Sequence, residues 1–186
     1  MRNLIVAVLL AALALGLPGC GADAPPPPRK IALPTETPEA TGALLPKGLG
    51  LLPEDVEPLY NEAAARLGST ALTPPAEISE RDWGTLVKLK FSPTVSLMAT
   101  AHGGAVDGIL LTFAGGGEAE AARFILCSVT LLETVLPGLT EEERDSVLSQ
   151  IGFFDASAQE GSVVFRGIKV GHSKVGGAVT FSLSES

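Results

Sequence analysis

The chain has 186 residues, with 13 Lys and Arg against 21 Asp and Glu, and a formal net charge of −8 at pH 7. That acidity excludes a duplex nucleic-acid binder, whose affinity comes from cations that neutralise phosphates, and it disfavours broad adhesion to anionic lipid heads. Two cysteines, Cys20 and Cys127, make no disulfide framework, so stability rests on a hydrophobic core that a folded region of about 130 residues is large enough to supply.

Arg2 precedes an uninterrupted apolar run from Leu4 to Leu17, closed by Leu17-Pro18-Gly19-Cys20. The run is shorter than the roughly 20 residues that a transmembrane helix needs, and it fits a processed export signal. These residues resemble the lipobox of bacterial lipoproteins, the substrates of the lipoprotein signal peptidase: a cationic start, an apolar stretch, then a small residue directly before the cysteine that becomes lipidated. Pro18 departs from that pattern, standing where the family usually has Ala, Ser, Thr, Val or Ile. The resemblance implies cleavage before Cys20, acyl chains of the palmitate kind on Cys20, and a membrane anchor in the cell envelope. Each buried CH2 of such a chain contributes about 0.8 kcal/mol, and stable anchoring takes more than one chain. Gly21, rather than Asp, follows the cysteine, which resembles the signal for outer-membrane delivery in Gram-negative lipoproteins. An ordinary secretory signal cut nearby and an uncleaved anchor are the alternatives. Loss of residues 1–19 removes Arg2 and leaves the remainder more acidic.

From Gly21 to Pro53 the composition changes: Pro25 to Pro28 run together, and Pro34, Pro38, Pro46 and Pro53 follow among Thr, Glu, Ala and Gly. Proline fixes φ and removes donors, so this segment is expected to be an extended tether. It could span about 100 Å as polyproline II and about 30 Å as a coil. The expected organisation is 1–19 signal peptide, 20–53 lipidated cysteine and Pro-rich tether, and 54–186 globular domain.

A first helix is expected from Glu54, where Glu54, Asp55 and Glu57 suit a helix N-terminus, to Leu67, with Leu59, Ala63 and Leu67 as its apolar stripe and Gly68 as its stop. Residues 69–83 read as a loop ending near Trp83, the only tryptophan, which is read as a packing residue. Thr85–Phe91, Thr94–Ala101 and Val106–Phe113 alternate apolar and polar residues, and their short connections make them an antiparallel meander with one covered face. A long helix follows from Glu118 to Leu136, its apolar stripe wide enough to belong in a core. Thr140 with Glu143 three positions on matches a capping box, and the helix it starts ends near Ile151-Gly152. Ser162–Val170 and Ala178–Leu183 are read as a hairpin joined through Gly171–Gly177. The order α-βββ-αα-ββ points to α+β: a mainly antiparallel five-stranded sheet with helices on one face.

Chemistry is sparse. Gly115-Gly116-Gly117 before a helix invites phosphate binding, but no Lys-Ser/Thr pair follows and Glu118 and Glu120 place negative charge at the entrance, so it reads as a flexible connection. His102 and His172 are the only histidines. Both fall in Gly-rich segments read as turns, without metal-ligand spacing, and Asp107 or Asp155 would join them only if folding brought them together. Cys127 sits in an apolar helix and reads as a buried thiol rather than a nucleophile. Ser128, Thr130 and Thr134 lack a nucleophile elbow, and Glu141, Glu142, Glu143 and Asp145 lie on a helix that cannot wrap calcium. No catalytic, cofactor or metal set emerges. A local excess of base remains: Lys88, Lys90, Arg166, Lys169 and Lys174 would form a face for an anionic partner if their strands adjoin. The contrary reading is that strand lysines block edge-to-edge pairing.

The sequence therefore leads to a membrane-anchored envelope lipoprotein whose domain serves binding or assembly, with the membrane and an envelope protein or anionic ligand as partners and nucleic acid excluded. Two other readings stand beside it: a small envelope hydrolase with catalytic residues scattered in sequence, and a passive structural spacer.

Overall fold

The computed structural model describes residues 48–69, 73 and 75–186. The expected signal peptide, the lipobox-like residues with Cys20 and the expected tether up to residue 47 lie outside the described residues. Leu49 and Leu51 are buried in the core, and Leu49 N–H donates to Val106 O at 2.8 Å while Val106 N–H donates to Leu51 O at 2.9 Å. Folded chain thus begins before Glu54, inside the segment that composition alone assigns to the tether.

After a 3-10 turn, Pro53–Asp55, the elements are α1 (Val56–Arg66), β1 (Glu77–Arg81), β2 (Gly84–Lys90), β3 (Val95–His102), β4 (Ala105–Phe113), α2 (Glu118–Val135), α3 (Glu141–Gln150), β5 (Glu160–Phe165), β6 (Ile168–Val175) and β7 (Ala178–Glu185). They form one antiparallel sheet in the order β1-β2-β3-β4-β7-β6-β5. Two meanders meet where β7 returns to β4, and the helical pair between them packs on the sheet.

The expected five strands are corrected to seven, and the expected order to α-ββββ-αα-βββ. β1 escapes the sequence pattern because it is an edge strand with no buried residue, so no apolar alternation marks it. The second error has a backbone cause. Arg166 and Gly167 take φ of 49° and 82°, the left-handed pair of a tight hairpin turn, and they split the expected Ser162–Val170 strand into β5 and the start of β6. Gly171–Gly177, expected as the connection, is mostly β6; only Gly176 and Gly177 turn. His172 accordingly lies within a strand.

Alternation decides the covered face. Val87, Leu89, Val95, Leu97, Ala99, Ile109, Leu111, Phe181, Leu183 and Val170 are all buried on the helix side. Opposite them, Phe124, Cys127, Leu131 and Leu132 of α2 and Val147, Leu148 and Ile151 at α3 complete one core. The buried side of α1 is Val56, Tyr60, Ala63 and Ala64 rather than the Leu59-Ala63-Leu67 stripe; Leu59 and Leu67 are half-buried. Two connections fasten α2 and α3. Glu120 accepts from the hydroxyls of Ser92 and of Thr94, the latter at 2.8 Å, which ties the start of α2 to the β2–β3 loop. Thr140 and Glu143 form both bonds of the capping box, at 3.1 and 3.0 Å.

Candidate binding surface on the open sheet face

Strand register assigns every side chain on the face away from the helices. One row across the sheet runs Glu77, Lys88, Met98, Leu110, Ser182, Gly171, Ser162; a second runs Lys90, Ser96, Thr112, Thr180, Ser173, Glu160; a third runs Ser79, Leu86, Thr100, Gly108, Ser184, Lys169, Val164. The composition is short hydroxyl residues with an apolar diagonal, Leu86-Met98-Leu110, toward the β1–β4 side. No helix among the described residues packs on this face, and Met98 is 39% exposed.

The five basic residues do not gather there. Lys88 and Lys90 project from β2 and Lys169 from β6, with β3, β4 and β7 between them, about 19 Å at the usual strand spacing. Arg166 sits in the β5–β6 turn, where its Nη2 donates to Glu143 Oε1 at 2.7 Å and its guanidinium lies 5.1 Å from the Phe165 ring centroid. Lys174 alternates to the helix side, and its Nζ donates to Asp155 O at 2.8 Å and to Ala156 O at 3.4 Å. Folding therefore spends two of the five cations on holding loops. Asp155 is turned toward its own loop, accepting from Ser157 N and Oγ, and its carboxyl is held below its ordinary value chiefly by those bonds.

At one end of the face the fold assembles a cluster of which the sequence offered only the separate residues. The β3–β4 register shifts between Thr100 and Ala101, which leaves Asp107 bulged opposite them. Asp107 Oδ2 bonds His102 Nδ1, and Thr100 Oγ1 donates to Asp107 Oδ1 at 2.8 Å. Burial alone would raise the Asp107 carboxyl, yet the bonds from Thr100 and His102 and the imidazole charge outweigh it and hold the group below its ordinary value. An ionised carboxylate only accepts, so His102 Nδ1 is the donor in this bond, and Nε2 of this exposed ring makes no hydrogen bond among the described residues. Trp83, in the β1–β2 turn, lies beside that ring with centroids 5.8 Å apart, and at 49% exposure it is a surface residue, not the packing residue expected.

His172 goes the opposite way. It is 4% exposed, edge-on to Phe153 at 5.9 Å, and neither ring nitrogen has a hydrogen-bond partner among the described residues. Burial lowers its pKa below the ordinary value; the Ile151 backbone, close to the ring but short of good hydrogen-bond geometry, opposes this, and the Lys174 charge adds to it. The two histidines thus lie on opposite sides of the sheet and share no site. Cys127 is fully buried, and burial raises its thiol. The Tyr60 hydroxyl beside it is buried too, without a partner of good geometry, and its pKa is raised for the same reason. Neither group has the exposure a nucleophile needs.

Among the described residues no three His, Cys, Asp or Glu side chains converge as a metal would require, and no helix is long and apolar enough to cross a membrane. The Gly115-Gly116-Gly117 junction precedes a helix start that Glu120 already ties to Ser92 and Thr94. A shallow cleft of about 420 Å³ lies between α1 and the end of α2, lined by Leu49, Leu51, Leu59, Val135 and Pro137 with Glu62 and Arg66 at its polar side. Searches of protein-family models, curated proteins and solved structures find nothing that matches this chain.

Proposed function

We propose that this chain is a lipid-anchored lipoprotein of the cell envelope, attached through Cys20, whose folded domain binds or assembles with an envelope partner through the open face of its sheet. Outer-membrane delivery is favoured in a Gram-negative cell, on the strength of Gly21. The observation that carries the reading is the open face itself: seven strands wide, hydroxyl-rich, with an exposed Met98 between Leu86 and Leu110, and, among the described residues, uncovered and with Lys88, Lys90 and Lys169 unpaired. A sheet that only filled a spacer would have no use for an apolar diagonal on its solvent side, because exposed contiguous apolar surface invites association. The ligand class that suits such a face is a protein surface or an anionic group reaching Lys88 and Lys90, and acidity of the whole chain argues against nucleic acid.

The anchor and the face are tested together. Intact mass and membrane fractionation of wild type and Cys20→Ala report the anchor: an acyl mass and membrane retention lost in the variant support it, and an unacylated soluble wild type refutes it. A photo-crosslinking residue at Met98, compared with one at exposed Val175 in the β6–β7 hairpin, reports the face. A discrete partner captured from Met98 alone supports binding there; equal, diffuse labelling from both sites sinks it.

A second reading, a small envelope hydrolase, has one feature in its favour, the exposed His102 held by Asp107 through Nδ1, with Nε2 unbonded among the described residues. Such a pair can serve as a general base when a nucleophile or water is held near it. Thr100 is spent on Asp107, so the reading requires a bound water. His102→Ala is expected to leave partner capture unchanged and to abolish any hydrolysis measured on envelope extracts.

A further inference from the structure

The two edges of the sheet are protected unequally. β1 carries Glu77, Glu80 and Arg81 in five residues, the kind of charge that discourages strand addition. β5 reads Glu160-Gly161-Ser162-Val163-Val164-Phe165, with one charge at its far end, β-branched residues in its middle and, among the described residues, no strand beyond it in the sheet. Its backbone polarity follows from one bond. Lys174 N–H donates to Gln159 O at 2.7 Å, so alternate residues from Gln159 onward face β6, and the N–H and C=O groups of Glu160, Ser162 and Val164 face outward, unpaired within the sheet. The side chains of those same three residues stand on the open face, and Val164 is 59% exposed.

We propose that β5 pairs antiparallel with β5 of a second copy of this chain, joining two sheets edge to edge about a twofold axis at Ser162. This goes beyond the open-face reading and does not depend on it. The choice of a second copy rests on self-complementarity. With Ser162 opposite Ser162, Glu160 of each copy falls opposite Val164 of the other. On the open face, the row then reads Lys169, Val164, Glu160 of the second copy, and the same row repeats across the axis. The Glu160 carboxylate makes no ion pair within its own chain among the described residues, so it is available to reach over Val164 toward Lys169. A register shifted by two would set Glu160 opposite Arg166, whose guanidinium is already turned to Glu143 on the helix side. The Ser162 axis alone aligns charges that share a face. Two short strands bury little area, so the association is weak in dilute solution, and confinement of both copies on one membrane would raise it through effective concentration.

The test is a disulfide across the axis in the full-length chain. A hydrogen-bonded antiparallel pair holds its Cα atoms about 5.5 Å apart, within disulfide range. Ser162→Cys is expected to give a covalent dimer under mild oxidation in membranes, well above the yield of Ile78→Cys on the opposite edge. Adding Val164→Pro to Ser162→Cys should reduce the dimer to the Ile78→Cys level. The substitution removes an outward N–H and leaves the bonds to β6 in place; unchanged circular dichroism establishes that the chain still folds, and Val164→Glu, which sets two like charges directly opposite across the new ladder, gives the same readout should the proline variant unfold. Equal yields from Ser162→Cys and Ile78→Cys, or a dimer insensitive to both Val164 changes, would overturn the proposal. So would preferential bridging of Ser162→Cys to Arg166→Cys, which belongs to another register.

Discussion

Replacing His172 by Leu is expected to stabilise this protein, against the usual sign for a buried position. His172 is 4% exposed, its neighbour across the β6–β7 ladder is Phe181, and Phe153 meets its ring edge-on at 5.9 Å. Among the described residues neither imidazole nitrogen makes a hydrogen bond of good geometry, although the Ile151 backbone lies close enough to favour the charged form, and a buried polar group left poorly paired costs about 1–3 kcal/mol. Leucine has a similar volume and no polar atom, so His172→Leu should raise unfolding free energy by about 1–3 kcal/mol at pH 8, where the imidazole is neutral in both states. The pH dependence has a fixed sign. Because burial lowers the folded-state pKa, the unfolded chain takes up a proton first as pH falls below about 6.5, and stability drops from there toward the folded pKa. Urea unfolding followed by far-ultraviolet circular dichroism at pH 8, 6.5 and 5.5 reads both effects. Wild type should lose stability across that range, and His172→Leu should lose less. A variant less stable than wild type at pH 8, or two identical pH profiles, would mean that the imidazole is bonded, and the reasoning fails.

Other consequences follow from the packing. Phe181 is fully buried and edge-on to Phe153 at 5.5 Å, so Phe181→Ala should cost about 3–5 kcal/mol, a large share of the roughly 5–15 that a domain has; urea midpoints measure it, and a loss under about 1 kcal/mol would contradict the assigned core. A Cβ on Gly161 would run into the backbone carbonyl of Ile151, so Gly161→Ala should destabilise by about 1–3 kcal/mol, whereas Gly167→Ser, with nothing near its Cβ, should show only turn strain in the same assay. Thr140→Ala removes the cap that Glu143 N–H donates to and should cost about 1 kcal/mol, with Thr140→Ser restoring most of it. Cys127 should resist maleimide in the native state and react after denaturation; Cys20, if acylated as proposed, adds no reactive thiol to either count.

The capping box, the span of α2 and three of the strands were legible because each is a local pattern with a local cause. The open face was only half legible. Alternation in β2, β3 and β4 told which side chains share a side, but not that Arg166 would be turned to Glu143 or Lys174 folded onto the Asp155 carbonyl. The His102–Asp107 pair was invisible for a related reason: it depends on a bulge opposite Thr100-Ala101, and a one-residue bulge changes which face a residue meets.

Sequence by itself determined the chemical character of the chain: acidity, an apolar N-terminal run closed by a lipobox-like cysteine, a proline-rich stretch, and strands and helices wherever side chains alternate or recur with the period of a buried face. Tertiary structure alone decided the seven-stranded sheet, its two unequal edges and the burial of His172. An edge strand such as β1 buries nothing and so leaves no periodic trace, the Arg166-Gly167 turn is a choice of backbone dihedrals, and a histidine goes inside only when the strands beside it have already been paired.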